Sequence, residues 1–430
     1  MLKYWKFYWP LALTGAGLVL SIQFQNATLA RYPEAVTELA VLALAYGVFG
    51  FCNAILGFVA QLVNVFARSE QALKKTHRFV AYASIVAVTP LLIMAFTPIG
   101  DWVLASTFNI DTALVERVRQ YLVLMCPLIL LNGQRHFYTG LLVQAQLTGW
   151  ITILNLAYSS VVIISLLAGF AFGLKPAYVV VGSELLGDIV LLAGLVTAKA
   201  KLYRLPEAVD HTDVTYLVLT RFFIPVSTTG IMFALSRPVL FAFVARSDEG
   251  LLAIAALRVA FDFGAIFQQA TNQFRHFFIT FGFEDLRRKL IFMWLIGTGL
   301  TCTMLVFVVT PLSSWLWQDV MGLPQGLSSL AREVLLVMCL MPALIMYRNY
   351  FHGRLMAGHR TAGMAYGSTL RVASIYALAW LSSKAAVLDH IGAALILIIG
   401  FFVEAAVAQL SSHRMKAADL EQMSRRRAQQ

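Results

Sequence analysis

Apolar runs of about twenty residues recur along nearly the whole chain, each long enough to cross a hydrocarbon layer of about 30 Å as a helix. Segments in lipid must satisfy their backbone N–H and C=O groups internally, which leaves helices or closed barrels as the possible spans. Runs of this length are helical. Composition agrees: 59% of the 430 residues are hydrophobic and 13% are charged, against about a quarter charged in soluble domains. No stretch between the runs is long enough for a separate soluble domain. A net charge of +11 would suggest nucleic acid in a soluble protein. Here it is read first as a signal of membrane orientation, and no nucleic-acid partner is expected.

With Pro, Gly and charge clusters taken as breaks, the sequence predicts twelve helices, at roughly 7–31, 36–64, 78–98, 116–143, 149–172, 177–198, 217–246, 251–279, 289–311, 331–356, 363–383 and 388–411. Basic residues collect at alternate connections: Lys3 and Lys6; Arg68, Lys74, Lys75 and Arg78; Lys199, Lys201 and Arg204; Arg287, Arg288 and Lys289; Arg354 and Arg360; and Arg414, Lys416 and Arg425 to Arg427. The other connections carry Asp101, Asp111, Asp248, Glu249, Asp319 and Asp389. The positive-inside rule then predicts a multi-pass protein of the cell membrane, inner or plasma, with both termini cytoplasmic.

An internal repeat organises these helices. Phe7 to Arg31 aligns without gaps to Phe222 to Arg246, with Phe7/Phe222, Pro10/Pro225, Thr14/Thr229, Gly15/Gly230, Leu20/Leu235, Ser21/Ser236, Ala27/Ala242, Ala30/Ala245 and Arg31/Arg246 identical. Met125-Cys126 repeats as Met338-Cys339, and Arg135, Gly140, Leu142 and Thr148 as Arg348, Gly353, Leu355 and Thr361. Apolar helices share Leu and Ala by chance, but not two arginines, two prolines and a Thr-Gly pair in register. Six crossings per half make the repeat parallel, about an axis along the membrane normal, with a cavity expected between the halves. The expected organisation is all-α: one six-helix bundle over 1–205, a second over 206–414, and a basic cytoplasmic tail over 415–430. Because Thr28-Leu29-Ala30 lies in the repeated segment, its likeness to a signal-peptidase site is not read as a cleavage signal.

Chemistry-bearing motifs are sparse. The sequence has no G-x-x-x-x-G-K-[ST] loop to hydrolyse nucleotide, and no H-E-x-x-H, G-x-S-x-G or Cys/His metal cluster. No enzyme activity, cofactor or metal is expected. Cys52, Cys126, Cys302 and Cys339 fall inside apolar runs and read as small packing residues.

Ionisable residues near a helix centre cost roughly 2.5–3.5 kcal/mol on insertion scales, so they should face a partner or a wet cavity. Arg237 sits within helix 7 in Ser236-Arg237-Pro238, where the proline should kink the helix. An arginine beside such a kink suits an anion. Helix 8 carries Arg258, Asp262, Gln269, Gln273 and His276 at spacings that share one face, with Asn272 nearby. The alternative is an Arg258–Asp262 pair one turn apart, with amides bonding neighbouring helices.

Helix 2 offers a milder stripe of Tyr46, Gly50, Asn53, Gly57, Gln61 and Asn64, and helix 1 offers Gln23, Gln25 and Asn26. A cavity lined by helices 1, 2, 7 and 8 would be polar and basic. Arg135 and Arg348 occupy equivalent places on helices 4 and 10, flanked by His136, Asn349 and His352; the arginines, with Asn349, could form a gate, or the arginines could snorkel or cap helix ends. Glu184, Asp188, Arg371 and Glu404 read as structural pairs whose partners the sequence does not identify. Helices 1 and 7 contain no internal Asp or Glu, which argues against a cation-coupled multidrug exporter with its carboxylate there.

Residues 234–247, with Ser236-Arg237-Pro238 followed by apolar residues and a closing Arg246, resemble a segment of the progressive ankylosis protein family. Trp9-Pro10-Leu11, Ala45-Tyr46-Gly47 and Gly400-Phe401-Phe402-Val403-Glu404 are similar as well, although this chain ends basic where the family carries a long acidic tail. The resemblance implies the fold of the multidrug/oligosaccharidyl-lipid/polysaccharide (MOP) exporter superfamily, with two six-helix bundles around a central cavity and alternating access. It also implies export of an anion of the ATP, citrate or pyrophosphate class, with Arg237 as a contact. The expected function is movement of a small anionic solute across the bilayer by a chain acting as a monomer. In this reading Arg237 and Arg258 attract charge, Asp262 holds Arg258, and Gln269, Asn272 and Gln273 donate hydrogen bonds. The alternatives are a flippase for an anionic lipid-linked saccharide, a cation-coupled multidrug exporter, and a scaffold or polytopic enzyme.

Overall fold

The computed structural model describes residues 2–145, 147–205, 214–272, 274–281, 285–357 and 362–413. In order, these form α1 (Leu2–Leu29), α2 (Ala35–Asn53), a 3-10 turn (Ala54–Leu56), α3 (Val59–Phe66), α4 (Glu70–Phe96), α5 (Pro98–Phe108), α6 (Thr112–Gln144), α7 (Thr148–Ala171) and α8 (Pro176–Leu202). The second half follows with α9 (Tyr216–Ala234), α10 (Ser236–Val244), α11 (Gly250–Asn272), α12 (Phe274–Phe281), α13 (Leu286–Val309), α14 (Leu312–Ser314, running into a π turn over Trp315–Val320), α15 (Gln325–Met338), α16 (Met341–Ala357), α17 (Ala362–Lys384) and α18 (His390–His413). No strand occurs among the described residues.

Among the described residues, eight stretches are long and apolar enough to cross a membrane: Ala35–Asn64, Glu70–Phe96, Gly149–Ala171, Pro176–Leu202, Gly250–Asn272, Leu286–Val309, Gln325–Leu355 and His390–His413. The four other predicted crossings fall on α1, α6, α9 with α10, and α17. Large apolar side chains such as Ile85, Val86, Leu156, Ile164 and Phe402 are more than half exposed, as lipid contact requires.

Three predicted helices are interrupted, for identifiable reasons. Helix 7 breaks at Leu235 between α9 and α10, because Pro238 has no N–H to offer the Ala234 carbonyl. Helix 10 breaks at Cys339 and Leu340, where bonds tighten to Leu336 and Val337 at 3.3 and 3.4 Å and Pro342 cannot donate to Met338. Helix 2, predicted unbroken over 36–64, instead ends at Asn53 and passes through a 3-10 turn before α3. There the Ile55 carbonyl accepts from the Ser227 hydroxyl of α9 at 2.9 Å. A neighbouring helix thus supplies the bond that the break removed, as lipid demands. Pro98 opens the unpredicted α5, and Asn109, left-handed at φ 50°, closes it.

The predicted division near residue 205 is not where contacts separate the chain. One compact unit comprises Met1–Arg31 with Phe243–Gln430, and the other comprises Tyr32–Ala242. The first helix of each repeat packs with the other half's helices, and aromatic side chains show why. In the first unit Tyr4 and Tyr8 of α1 enter a cluster with Phe274, Phe277, Phe278 and Phe292, and the Tyr8 hydroxyl donates to Ala270 O at 2.9 Å. In the second, Phe223 of α9, the repeat equivalent of Tyr8, and its neighbour Phe222 meet Phe79 and Phe66 edge-on, at 5.5 and 5.4 Å between centroids. The predicted tail, 415–430, lies outside the described residues, as do Arg414 and Arg360.

Within each unit the packing repeats. In the second, α6 and α7 lie against α8 and α3 lies against α6; in the first, α16 and α17 lie against α18 and α12 lies against α16. The matched Gly140 and Gly353 make these approaches possible. A Cβ on Gly140 would stand 2.6 Å from the Ala60 carbonyl and 2.8 Å from Val63 Cβ, and one on Gly353 would stand 3.0 Å from Phe278 Cβ. The cysteine expectation holds for Cys52, Cys126 and Cys339, which are buried, and fails for Cys302, which is exposed on α13; all four are free thiols.

Replacing Gly140 with Val would force α3 away from α6 at the cost of about 1–3 kcal/mol, as overpacking of tight contacts does. Thermal unfolding in detergent should show a lowered midpoint, and an unchanged midpoint would contradict the close approach.

Candidate functional site

The intramembrane charges that the sequence left without partners assemble into one cluster in each unit. In the unit containing α11 to α18, Glu404 of α18 is the centre. Its Oε2 accepts from Arg371 Nη1 at 2.6 Å and from Arg348 Nη1 at 3.2 Å, and its Oε1 accepts from the Ser368 hydroxyl at 3.2 Å. His352 Nε2 lies 3.8 Å from Oε1. Arg371 and Glu404 are buried to 0% and 2% exposure, and Arg348 to 4%. The Phe401 ring lies beneath both guanidiniums, 4.8 Å from Arg371 and 5.3 Å from Arg348, adding cation–π attraction in a site shielded from water.

Arg348 reaches further than Glu404. Its Nη2 donates to Asn272 Oδ1 and to Asn349 Oδ1, both at 3.2 Å, and Asn349 Nδ2 donates to the Thr271 carbonyl at 3.0 Å. The snorkelling and helix-capping readings of Arg348 are therefore corrected: its side chain turns inward to a carboxylate.

The equivalent cluster in the unit formed by 32–242 has the opposite balance. Arg135 Nη1 donates to Asp188 Oδ1 at 2.7 Å, with Asp188 buried and Arg135 one-quarter exposed. Here too a partner on the sixth helix replaces the snorkelling reading. One turn earlier on α8, Glu184 accepts from the Tyr46 hydroxyl.

The two clusters superpose in sequence at the spacing that relates Arg135 to Arg348. Tyr158 then corresponds to Arg371, and Gly187 to Gly400. The glycines confirm that register in space. A Cβ on Gly187 would meet Val162 and Tyr158 at 2.6 and 2.9 Å, and one on Gly400 would meet Ile375 and Arg371 at 2.7 and 3.1 Å. At matched places in the repeat, one unit thus carries two carboxylates and one arginine and the other two arginines and one carboxylate.

The other predicted residues fall as follows. Asn26, Arg258 and Asp262 come together in the first unit: Arg258 Nε donates to Asn26 Oδ1 at 3.1 Å, Asn26 Nδ2 to Asp262 Oδ2 at 3.3 Å, and Arg258 Nη2 lies 3.6 Å from Asp262 Oδ2. All three are buried, so the paired arrangement of Arg258 and Asp262 is the one adopted. Gln23 and Gln269 belong to this unit and are half-buried. Gln273 lies outside the described residues, as does the side chain of His276.

Arg237, half-buried at the start of α10, belongs to the other unit together with Asn53, Gln61 and Arg135. The ring of Pro238 lies beside Gly47 of α2. Asn53 Oδ1 accepts from Asn132 Nδ2 at 3.1 Å, whereas Gln61, past the break in helix 2, is exposed. The sequence reading left Arg371, Glu404, His352 and Ser368 out of the site. The signal that could have found them is the repeat itself, since it places Arg371 opposite Tyr158 once Arg135 and Arg348 are matched. No group of His, Cys, Asp and Glu able to hold a metal occurs among the described residues.

Residues 1–199 match the family described as Progressive ankylosis protein (ANKH). No curated protein matches the chain in sequence. Among solved structures, the chain is similar to a eukaryotic MATE transporter, AtDTX14, with TM-score 0.69 and 12% identity over 99% of this chain and 98% of that one. It is also similar to the lipid II flippase MurJ in an inward closed conformation, with TM-score 0.67 and 13% identity over 99% of this chain and 90% of that one. A MOP superfamily transporter from Pyrococcus furiosus, whose binding pocket is described as of reverse polarity, matches with TM-score 0.51 and 13% identity over 96% and 95%. The chain has the all-α polytopic fold of these membrane proteins.

Glu404→Gln would leave two buried guanidiniums without a counter-charge. A cost of about 3–5 kcal/mol is expected, as for other broken buried pairs. Asp188→Asn should cost less, because partly exposed Arg135 keeps solvent. Melting curves of the two variants in detergent compare these directly, and equal losses would contradict the different burial of the clusters.

Proposed function

We propose that this chain, matched over residues 1–199 to the progressive ankylosis family and folded as MOP-superfamily proteins are, is a membrane transporter. Its cargo is an organic or phosphorylated anion of the citrate, pyrophosphate or ATP class, moved by alternating access. The observation that carries the reading is the buried cluster of Arg348, Arg371 and Glu404, in which cations outnumber carboxylates. Uncompensated positive charge is expensive inside a membrane and marks a place where an anion is stabilised. The wider inventory points the same way. Among the described residues, Arg258, Lys289, Arg348 and Arg371 are buried in this unit against Asp262 and Glu404, whereas the buried charged residues of the other unit are Glu38 and Asp188.

Among the described residues the buried carboxylates Glu38, Asp188, Asp262 and Glu404 each lie within ion-pair distance of an arginine, which speaks against a site for cationic drugs. In the proposed cycle Arg258 lies in the same unit as this cluster, with Asp262 and Asn26 holding it in place. The positive-inside pattern orients both termini to the cytoplasm, and the transporter acts in the cell membrane. A flippase for an anionic lipid-linked saccharide uses the same fold, as the likeness to MurJ illustrates.

Flux through proteoliposomes discriminates these functions. Saturable movement of at least one of citrate, pyrophosphate or ATP is expected, with no movement of a labelled lipid-linked saccharide. Failure to move any of the three anions, or flipping of the lipid instead, would overturn the reading.

A further inference from the structure

Two arginines in one buried cluster share a single carboxylate oxygen, and they are not equally placed to give it up. Arg371 is fully enclosed, holds Glu404 at 2.6 Å, and packs against Gly400 of the same helix as Glu404. Arg348 makes the longer bond, 3.2 Å, and spends its other edge on two neutral amides, Asn272 and Asn349. Its Nε is buried without a hydrogen-bond partner among the described residues.

In the repeat-equivalent cluster a single arginine among the described residues, Arg135, is the ion-pair partner of Asp188. One guanidinium therefore suffices for one buried carboxylate in this architecture. The second arginine of the Glu404 cluster is surplus to that task. Asn272 is half-buried where its neighbours Arg348 and Asn349 are enclosed, which makes it the most open of the three.

We propose that Arg348, flanked by Asn272 and Asn349, is the residue that binds a carboxylate or phosphoryl group of the anion, while Arg371 remains on Glu404 as its permanent counter-ion. The planar fork of Arg348 matches such a group with two parallel hydrogen bonds. Asn272 carries an acceptor and two donors, so its amide, which accepts from Arg348, can rotate to donate to the anion, while Asn349 stays on the Thr271 carbonyl and holds Arg348 in place. Exchange of Glu404 for the incoming anion leaves no buried carboxylate unpaired, because Arg371 stays. The inference rests on the anion-transport reading for the solute class, and it differs from the sequence expectation in placing the principal contact at Arg348 rather than at Arg237 or Arg258.

The test uses purified full-length protein in phosphatidylcholine nanodiscs, titrated calorimetrically with citrate, pyrophosphate and ATP, alongside proteoliposome flux. Arg348→Gln should weaken binding of the favoured anion about 10- to 100-fold, the effect of losing hydrogen bonds to a charged group. Asn272→Asp is the second variant, since a carboxylate at that position would occupy Arg348 from within. It should weaken binding by a similar factor while the ligand-free protein melts at or above the wild-type temperature, so it decides the matter if Arg348→Gln does not fold. Affinities within about twofold of wild type in the variants that fold would overturn the site. So would wild-type protein that binds none of the three anions. Adding phosphatidylglycerol should leave the affinities unchanged; competition by it would assign the site to a lipid headgroup and overturn the soluble-anion assignment. Binding without flux would sink the transport reading and leave the site standing. Flux with wild-type half-saturation in Arg348→Gln would do the reverse.

Discussion

The sharing of Glu404 between Arg371 and Arg348 governs the interior of the unit that contains it. Three charges removed from water would each be costly alone, and their mutual attraction repays that cost only with close geometry and further hydrogen bonds. Ser368 supplies one such bond to the carboxylate, the two asparagines supply others to Arg348, and Phe401 covers both guanidiniums. These contacts fix α11, α16, α17 and α18 to one another at a single height. The helices cannot slide without stranding a charge, so the cluster sets their register as well as its own polarity.

Comparison of the two units shows how a duplicated frame acquired different chemistry. Gly187 and Gly400 keep the same close approach of helices, and Gly140 and Gly353 keep another. Backbone spacing is thus shared. What differs is the side chain set on that frame: Tyr158 where the other unit has Arg371, and the acid at Asp188 where the other unit has Phe401, with Glu404 one turn further along. Moving the carboxylate by a turn allowed an aromatic ring to support two cations. The balance of charge reversed without disturbing the packing.

The sequence by itself determined the helical membrane class, because apolar runs of that length have few ways to satisfy their backbone in lipid. It also determined the duplication through matched Pro, Gly and Arg residues, and it placed the kink before Pro238, since the missing donor is a local property. The Arg258–Asp262 pair was legible for the same reason, being one turn apart on one helix.

Only the tertiary structure decided which distant charges meet. Arg348, Arg371 and Glu404 lie on three helices, and no spacing along the chain states that α16, α17 and α18 bring them to one point. It also decided that α1 and α9 pack with the opposite halves, through aromatic faces whose partners are hundreds of positions away in α1 and well over a hundred in α9. The break of helix 2 after Asn53 was hidden in the same way, since Ser227 makes it tolerable from another helix. Local bonding is written in neighbouring residues, whereas pairing of charges and aromatic faces depends on how helices turn toward one another.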